Sequence, residues 1–112
     1  MSASVWQEQM TERDMQDNLR VWALQNGWMP YHTADSRRSQ PGFPDLVCVK
    51  DGHLLFIELK SQKGRISPWQ RVWLTCLADV PSATVVVVRP TPKDGEISYD
   101  DALALLAKGP GA

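Results

Sequence analysis

Two acids and a lysine in this chain have the types and spacing for metal-assisted hydrolysis of a phosphate ester. Asp45 follows Pro44, and Glu58-Leu59-Lys60 comes thirteen residues later. Residues 45–50 (DLVCVK) and 53–60 (HLLFIELK) both read as strands, and Asp51-Gly52 lies between them. Asp-Gly between two such runs favours a two-residue hairpin loop. With that loop Lys50 faces His53, Val49 faces Leu54, and Asp45 faces Glu58. Counted from the turn, Asp45 and Glu58 fall in a non-hydrogen-bonded pair, with Cα atoms about 4.5 Å apart. Alternation puts Lys60 on the Glu58 face.

Carboxylates directly opposite one another repel and destabilise a sheet. A divalent cation offsets this, and Mg²⁺ is commonly held by one or two carboxylates with waters and substrate phosphate. Leu59 points into the core, leaving its backbone carbonyl as a further possible ligand. Lys60 is placed to help deprotonate an attacking water or to neutralise charge developing on a scissile phosphate. Glu-x-Lys alone is a common string. The hairpin register that faces the two acids gives it weight.

Elements on either side must hold this hairpin. Residues 11–26 read as a helix, with Thr11 as N-cap, Met15, Leu19, Trp22 and Ala23 on one face, and Gly27 as the stop. A start at Ser4 is an alternative. Residues 28–33 read as a first strand, with Pro30 marking an edge or bulge. Ser67-Pro68-Trp69-Gln70 has the form of a helix start, and that helix runs to about Ala78. Residues 84–89 (TVVVVR) read as a buried strand. Ser98 caps a last helix through Ala107. The order α-β-β-β-α-β-α implies an α/β fold with a mixed sheet flanked by helices. The 112 residues make one domain, with a core over about 11–90 and a C-terminal helix over about 99–107.

The formal net charge of −1 alone argues against a nucleic-acid binder. The distribution does not. Residues 31–75 carry seven basic and four acidic residues, whereas 1–30 and 90–112 each carry two basic and four acidic. Arg37 and Arg38 precede the Pro-Asp motif, and Lys63 and Arg65 follow the Glu-x-Lys strand. Both loops open at the active end of the hairpin and are natural phosphate contacts. His53 lies at the other end. His32 is read as a core or edge residue.

No run of 18 apolar residues or secretory leader is present. Cys48 and Cys76 lie in apolar segments without metal-type spacing, which suggests buried free thiols and a cytoplasmic location. Five Trp are many for this length, and Trp6, ahead of the first capped helix, is the least explained by internal packing. That suggests a homodimer with Trp6 in or near the interface.

Taken together, Gly42-Phe43-Pro44-Asp45, Ile57-Glu58-Leu59-Lys60 and Ser67-Pro68-Trp69-Gln70 resemble the VRR-NUC family of PD-(D/E)xK nucleases. The resemblance extends to residues 11–16 (TERDMQ), Gly27-Trp28 and Tyr31-His32. It implies a restriction-endonuclease-like αβββαβ core and a Mg²⁺- or Mn²⁺-dependent DNA endonuclease. Short free-standing members of this kind occur in phages and bacteria, and several are homodimers that cut branched DNA such as four-way junctions. By resemblance Asp45 and Glu58 are metal-binding acids, Lys60 is the catalytic lysine, and Glu12 and Gln70 belong to the same site. From the residues alone, Glu12 is equally a favourable first-turn charge, and Gln70 is equally the N3 member of a capping box. The competing reading is a non-catalytic DNA-binding or assembly module on the same fold. It gives no reason for facing acids.

Overall fold

The computed structural model describes residues 4–33 and 40–109. The elements are α1 (Val5–Glu8), α2 (Glu12–Gln25), β1 (Met29–His32), β2 (Leu46–Lys50), β3 (His53–Leu59), α3 (Pro68–Ala78), β4 (Ala83–Val88) and α4 (Tyr99–Lys108). The sheet order is β1-β2-β3-β4, antiparallel for the first two pairings and parallel between β3 and β4. This is the expected mixed sheet flanked by helices.

Local chemistry sets most boundaries. Thr11 caps α2 and Ser67 caps α3, each accepting from the N3 amide while the N3 side chain accepts from the cap amide. Ser98 caps α4 by accepting from the Asp101 amide. The β2–β3 hairpin turns on Asp51 and Gly52, with φ of 49° and 81°. Positive φ at both central residues gives the twist that adjoining strands require. Pro30 lies in edge strand β1, where its missing N–H costs no ladder bond.

The two sheet faces differ. Leu46, Cys48, Leu55, Ile57 and Leu59 face one way and are fully buried with Met15, Leu19 and Ala23 of α2 and Leu106 of α4. Each such aliphatic side chain contributes about 1.5–3 kcal/mol through burial. Trp22 and Trp28 donate their indole N–H to the Leu103 and Leu106 carbonyls, at 2.8 and 2.9 Å, tying α4 to the rest. Residues of the other parity (Leu54, Phe56 and Glu58) face the opposite way. There Phe43 stands edge-on to Phe56 and to Trp73 of α3, with centroids 5.9 and 5.0 Å apart.

Three sequence expectations change. Ser4 does cap a helix, but it is a separate short one, because the chain leaves helical geometry before Thr11 starts α2. The valine-rich run is an edge strand, in which only Val88 is fully buried. An apolar β-branched string fits a covered edge as well as a sheet centre. Cys48 is buried, whereas Cys76 is exposed. Cys76 lies two residues beyond buried Leu74, which on a helix is the outward side.

Candidate active site

The β2–β3 register runs as expected from Lys50↔His53 to Leu46↔Ile57. One step further the ladder ends and the Asp45 side chain takes over, its Oδ2 accepting from the Leu59 N–H at 2.7 Å. The Asp45 backbone carbonyl accepts from Thr33 N–H at 2.9 Å, joining the motif to β1. The Thr33 hydroxyl also donates to the Pro44 carbonyl. Gly42 closes the arrangement. Its φ is +91°, and a Cβ there would lie 2.5 Å from the Trp69 carbonyl carbon. Only glycine allows this loop to press against the start of α3.

Glu58 is 1% exposed, and neither carboxylate oxygen has a hydrogen-bond partner. Such a group is costly to leave unsatisfied. Lys60 Nζ lies 3.7 Å from Glu58 Oε2, an ion-pair contact too long for a strong hydrogen bond, and is itself 6% exposed. Burial first, then the nearby Asp45 charge, pushes the Glu58 pKa up to about 9, with Lys60 opposing and Glu12 adding to the rise. Burial also raises Asp45, against the opposing Leu59 N–H, a hydrogen bond shared with the Glu58 carboxyl when that group holds its proton, and the Lys60 charge. Asp45 raises Glu58, whereas a proton held on Glu58 favours the ionised form of Asp45, so the two carboxyl groups share one proton.

This donor set fits a divalent cation. Both Glu58 oxygens lack partners, Asp45 is beside them, and an ion would remove the repulsion. Among the described residues no three His, Cys, Asp or Glu side chains converge into a cage. Mg²⁺ keeps waters and relies on one or two carboxylates, so two facing acids are enough donors for it.

The other expected residues divide. Glu12 is the first residue of α2 and borders two clefts, one shared with His32 and Asp45 and one with Ser61, Gln62 and Lys63. Gln70 spends its side-chain oxygen on the cap, accepting from Ser67 N–H at 2.8 Å. Lys63 and Arg65 are exposed on the turn after Lys60. Arg37 and Arg38 lie outside the described residues. Sequence reasoning missed Arg13 and Arg20, which line the cleft containing Asp45. Their spacing with Gln16 is the i, i+3, i+7 stripe of one helix face and was readable. It also missed Arg89. That side chain is 1% exposed, bonded to Glu96 at 2.7 and 3.2 Å and to the Ser61, Gln62 and Gly64 carbonyls.

A mixed sheet with two acids and a lysine at the open end of a hairpin defines a restriction-endonuclease-like nuclease fold. The VRR-NUC domain model matches residues 3–90, and the chain belongs to that family. A solved VRR_NUC domain superposes with a TM-score of 0.61 at 20% identity, covering 87% of this chain and 96% of its own. A Holliday junction resolvase, Hjc of Archaeoglobus fulgidus, matches at TM-score 0.48 and 25% identity, over 70% of this chain and 68% of its own. No curated protein matches significantly. No helix among the described residues is long and apolar enough to cross a membrane.

Proposed function

We propose that this protein is a divalent-metal-dependent DNA endonuclease, with Asp45 and Glu58 holding Mg²⁺ or Mn²⁺ and Lys60 acting on the water or the phosphate. The carrying observation is Glu58, a buried carboxyl with two unpartnered oxygens beside Asp45 and Lys60. The cation supplies Lewis-acid polarisation of the phosphate. The protein's residues do the rest. Asp45 is held by the Leu59 amide, so one of its oxygens is fixed in direction. The Leu59 backbone carbonyl, one residue from each functional side chain, is a candidate third ligand. Lys60, almost fully buried, keeps its ammonium within reach of Glu58 and of any phosphate brought to it. Glu12 is the candidate for an outer acid, and Gln70 for a contact through its amide nitrogen. Arg13 and Arg20, with Arg37, Arg38, Lys63 and Arg65, are candidates for the DNA backbone.

Cleavage of labelled duplex, flap and four-way junction, with Mg²⁺ or Mn²⁺ and with chelator, tests this reading. Metal-dependent cleavage is expected, with the junction preferred. Binding without cleavage of any substrate would overturn it in favour of a DNA-binding module.

Junction cutting also requires two sites related by two-fold symmetry, and hence a homodimer. Val5 and Trp6 of α1 are 74% and 72% exposed, apolar surface that a partner copy would cover. Sedimentation should give twice the 12.6 kDa chain mass. A monomer would remove the junction preference and leave the nuclease.

A further inference from the structure

Arg89 organises the turn that follows Lys60. Its Nη1 donates to three backbone carbonyls, of Ser61 at 2.9 Å, Gln62 at 3.1 Å and Gly64 at 2.7 Å. In a trans peptide plane the N–H points opposite to the carbonyl. The three planes therefore aim the N–H groups of Gln62, Lys63 and Arg65 away from Arg89. Among the described residues none of these three N–H groups meets an acceptor. Glu96 holds the other side of the guanidinium in two bonds, balancing its charge. Gln62 and Thr91 close the frame, Gln62 Nε2 donating to the Thr91 carbonyl and Thr91 N–H to Gln62 Oε1.

The turn also touches the catalytic strand. A Cβ on Gly64 would lie 3.4 Å from Lys60 Cδ and 3.1 Å from Ser61 Oγ. It thus curls over the stem of the lysine whose Nζ is 3.7 Å from Glu58. Ser61, Gln62 and Lys63 form one wall of a cleft, and Glu8 and Glu12 stand on the other. Arg13 stands beside Glu12 on that wall, so the wall carries both signs.

We propose that the turn 61–65 is a main-chain phosphate seat, with Arg89 as the positioning residue that builds it. The N–H groups of Gln62, Lys63 and Arg65, with the Lys63 and Arg65 side chains, bind a strand phosphate next to the one being cleaved. Successive outward N–H groups form anion-binding concavities of this kind. That the phosphate belongs to DNA rests on the nuclease reading. The seat itself does not.

The test is amide NMR on the metal-free full chain, titrated with inorganic phosphate and then with a short oligonucleotide. The Gln62, Lys63 and Arg65 amides should shift in a saturable way. Lys63→Ala with Arg65→Ala should keep those shifts and weaken binding by at most about fivefold per charge, the worth of an exposed ion pair. Gln62→Pro, which suits the first central position of the turn, removes one donor. It should bind phosphate more weakly than Gln62→Ala, which gives up the same side-chain bonds to Thr91 but keeps its N–H. Arg89→Lys keeps the charge but not the fork, and should abolish the shifts. Silent amides in the wild type, or equal binding by Gln62→Pro and Gln62→Ala, would overturn the seat. Cleavage with silent amides sinks this inference alone, whereas responding amides without cleavage uphold the seat and sink the nuclease.

Discussion

Two groups of buried charge sit at the same end of the sheet, and they are built in opposite ways. Arg89 and Glu96 are fully answered: two bonds join them, three carbonyls take the remaining guanidinium nitrogen, and the Lys93 amide donates to Glu96. Asp45, Glu58 and Lys60 are not. One Asp45 oxygen has a good hydrogen bond, and both Glu58 oxygens have none. A stable fold has no use for the second arrangement, since a buried carboxyl without hydrogen bonds is among the more expensive things a domain can hold. The satisfied cluster therefore reads as scaffold, and the unsatisfied one as a site waiting for a positive partner.

The largest expected effect breaks the unsatisfied cluster. Glu58→Gln keeps shape and burial but removes the charge that would bind a cation. Asp45→Asn does the same on the other acid, and Lys60→Ala removes the ammonium. Each should lower metal-dependent cleavage by ~10²–10³ or more, the scale for losing one electrostatic contributor. Circular dichroism should remain that of the folded protein. Cleavage within a few-fold of wild type for any one of them would remove that residue from the site.

Breaking the satisfied cluster should do the reverse. Glu96→Ala leaves Arg89 buried with its charge unanswered, which costs about 3–5 kcal/mol. Chemical denaturation should show that loss directly. Cleavage at low temperature should fall far less than in Glu58→Gln. A Glu96→Ala protein as stable as wild type would make the cluster ornamental and weaken the contrast.

The two clusters also have opposite pH signs. Burial works to raise Glu96, but the Arg89 hydrogen bond, the Lys93 amide and the charges of both outweigh it and hold the group below its usual 4.5. A depressed carboxyl stabilises the fold above 4.5, and that stability is lost as pH falls through the folded value. Glu58 is raised from 4.5 to about 9, so folding favours its proton. Its contribution is full below 4.5 and is lost as pH rises towards 9. The metal-free protein should be most stable in mildly acidic solution, with its melting temperature falling towards both extremes. Glu58→Gln should flatten the alkaline limb, and Mg²⁺ or Mn²⁺ added to the wild type should recover stability there by displacing the proton. Each ~1 kcal/mol recovered corresponds to roughly 4 °C. An alkaline limb unchanged by Glu58→Gln would mean that this carboxyl is not the titrating group.

The same contrast explains what the sequence could reveal. The unsatisfied cluster lies on one hairpin, so the Asp51-Gly52 turn and the period of two carried the register from Lys50↔His53 to Leu46↔Ile57. Asp45, Glu58 and Lys60 were legible because they are local. Capping residues gave α2, α3 and α4 for the same reason. Arg89 and Glu96 were not legible. They meet only because the segment after β4 turns back and Ile97 pairs with Val88, a tertiary event with no spacing rule behind it. The edge position of β4 was hidden likewise, since its neighbours and not its own valines decide how much it is covered. Cys76 reads as buried only while the apolar letters of α3 are counted without their helical phase.

The smallest effect expected concerns the exposed cations beside both clusters. Lys63 and Arg65 lie on the turn that Arg89 holds, so the scaffold places charge at the edge of the site. Exposed charges add little to stability, and replacing either by Ala should leave the melting temperature unchanged. They should matter for DNA through counterion release. Every phosphate that a side chain no longer neutralises lowers the log–log salt slope of duplex binding by about 0.9. Lys63→Ala and Arg65→Ala together should therefore lower it by about 1.8, if both touch phosphate. Measured with Ca²⁺ in place of Mg²⁺, the slope is free of any change in cleavage. An unchanged slope would confine these two charges to solvent and leave any phosphate contact of the turn to its main-chain N–H groups.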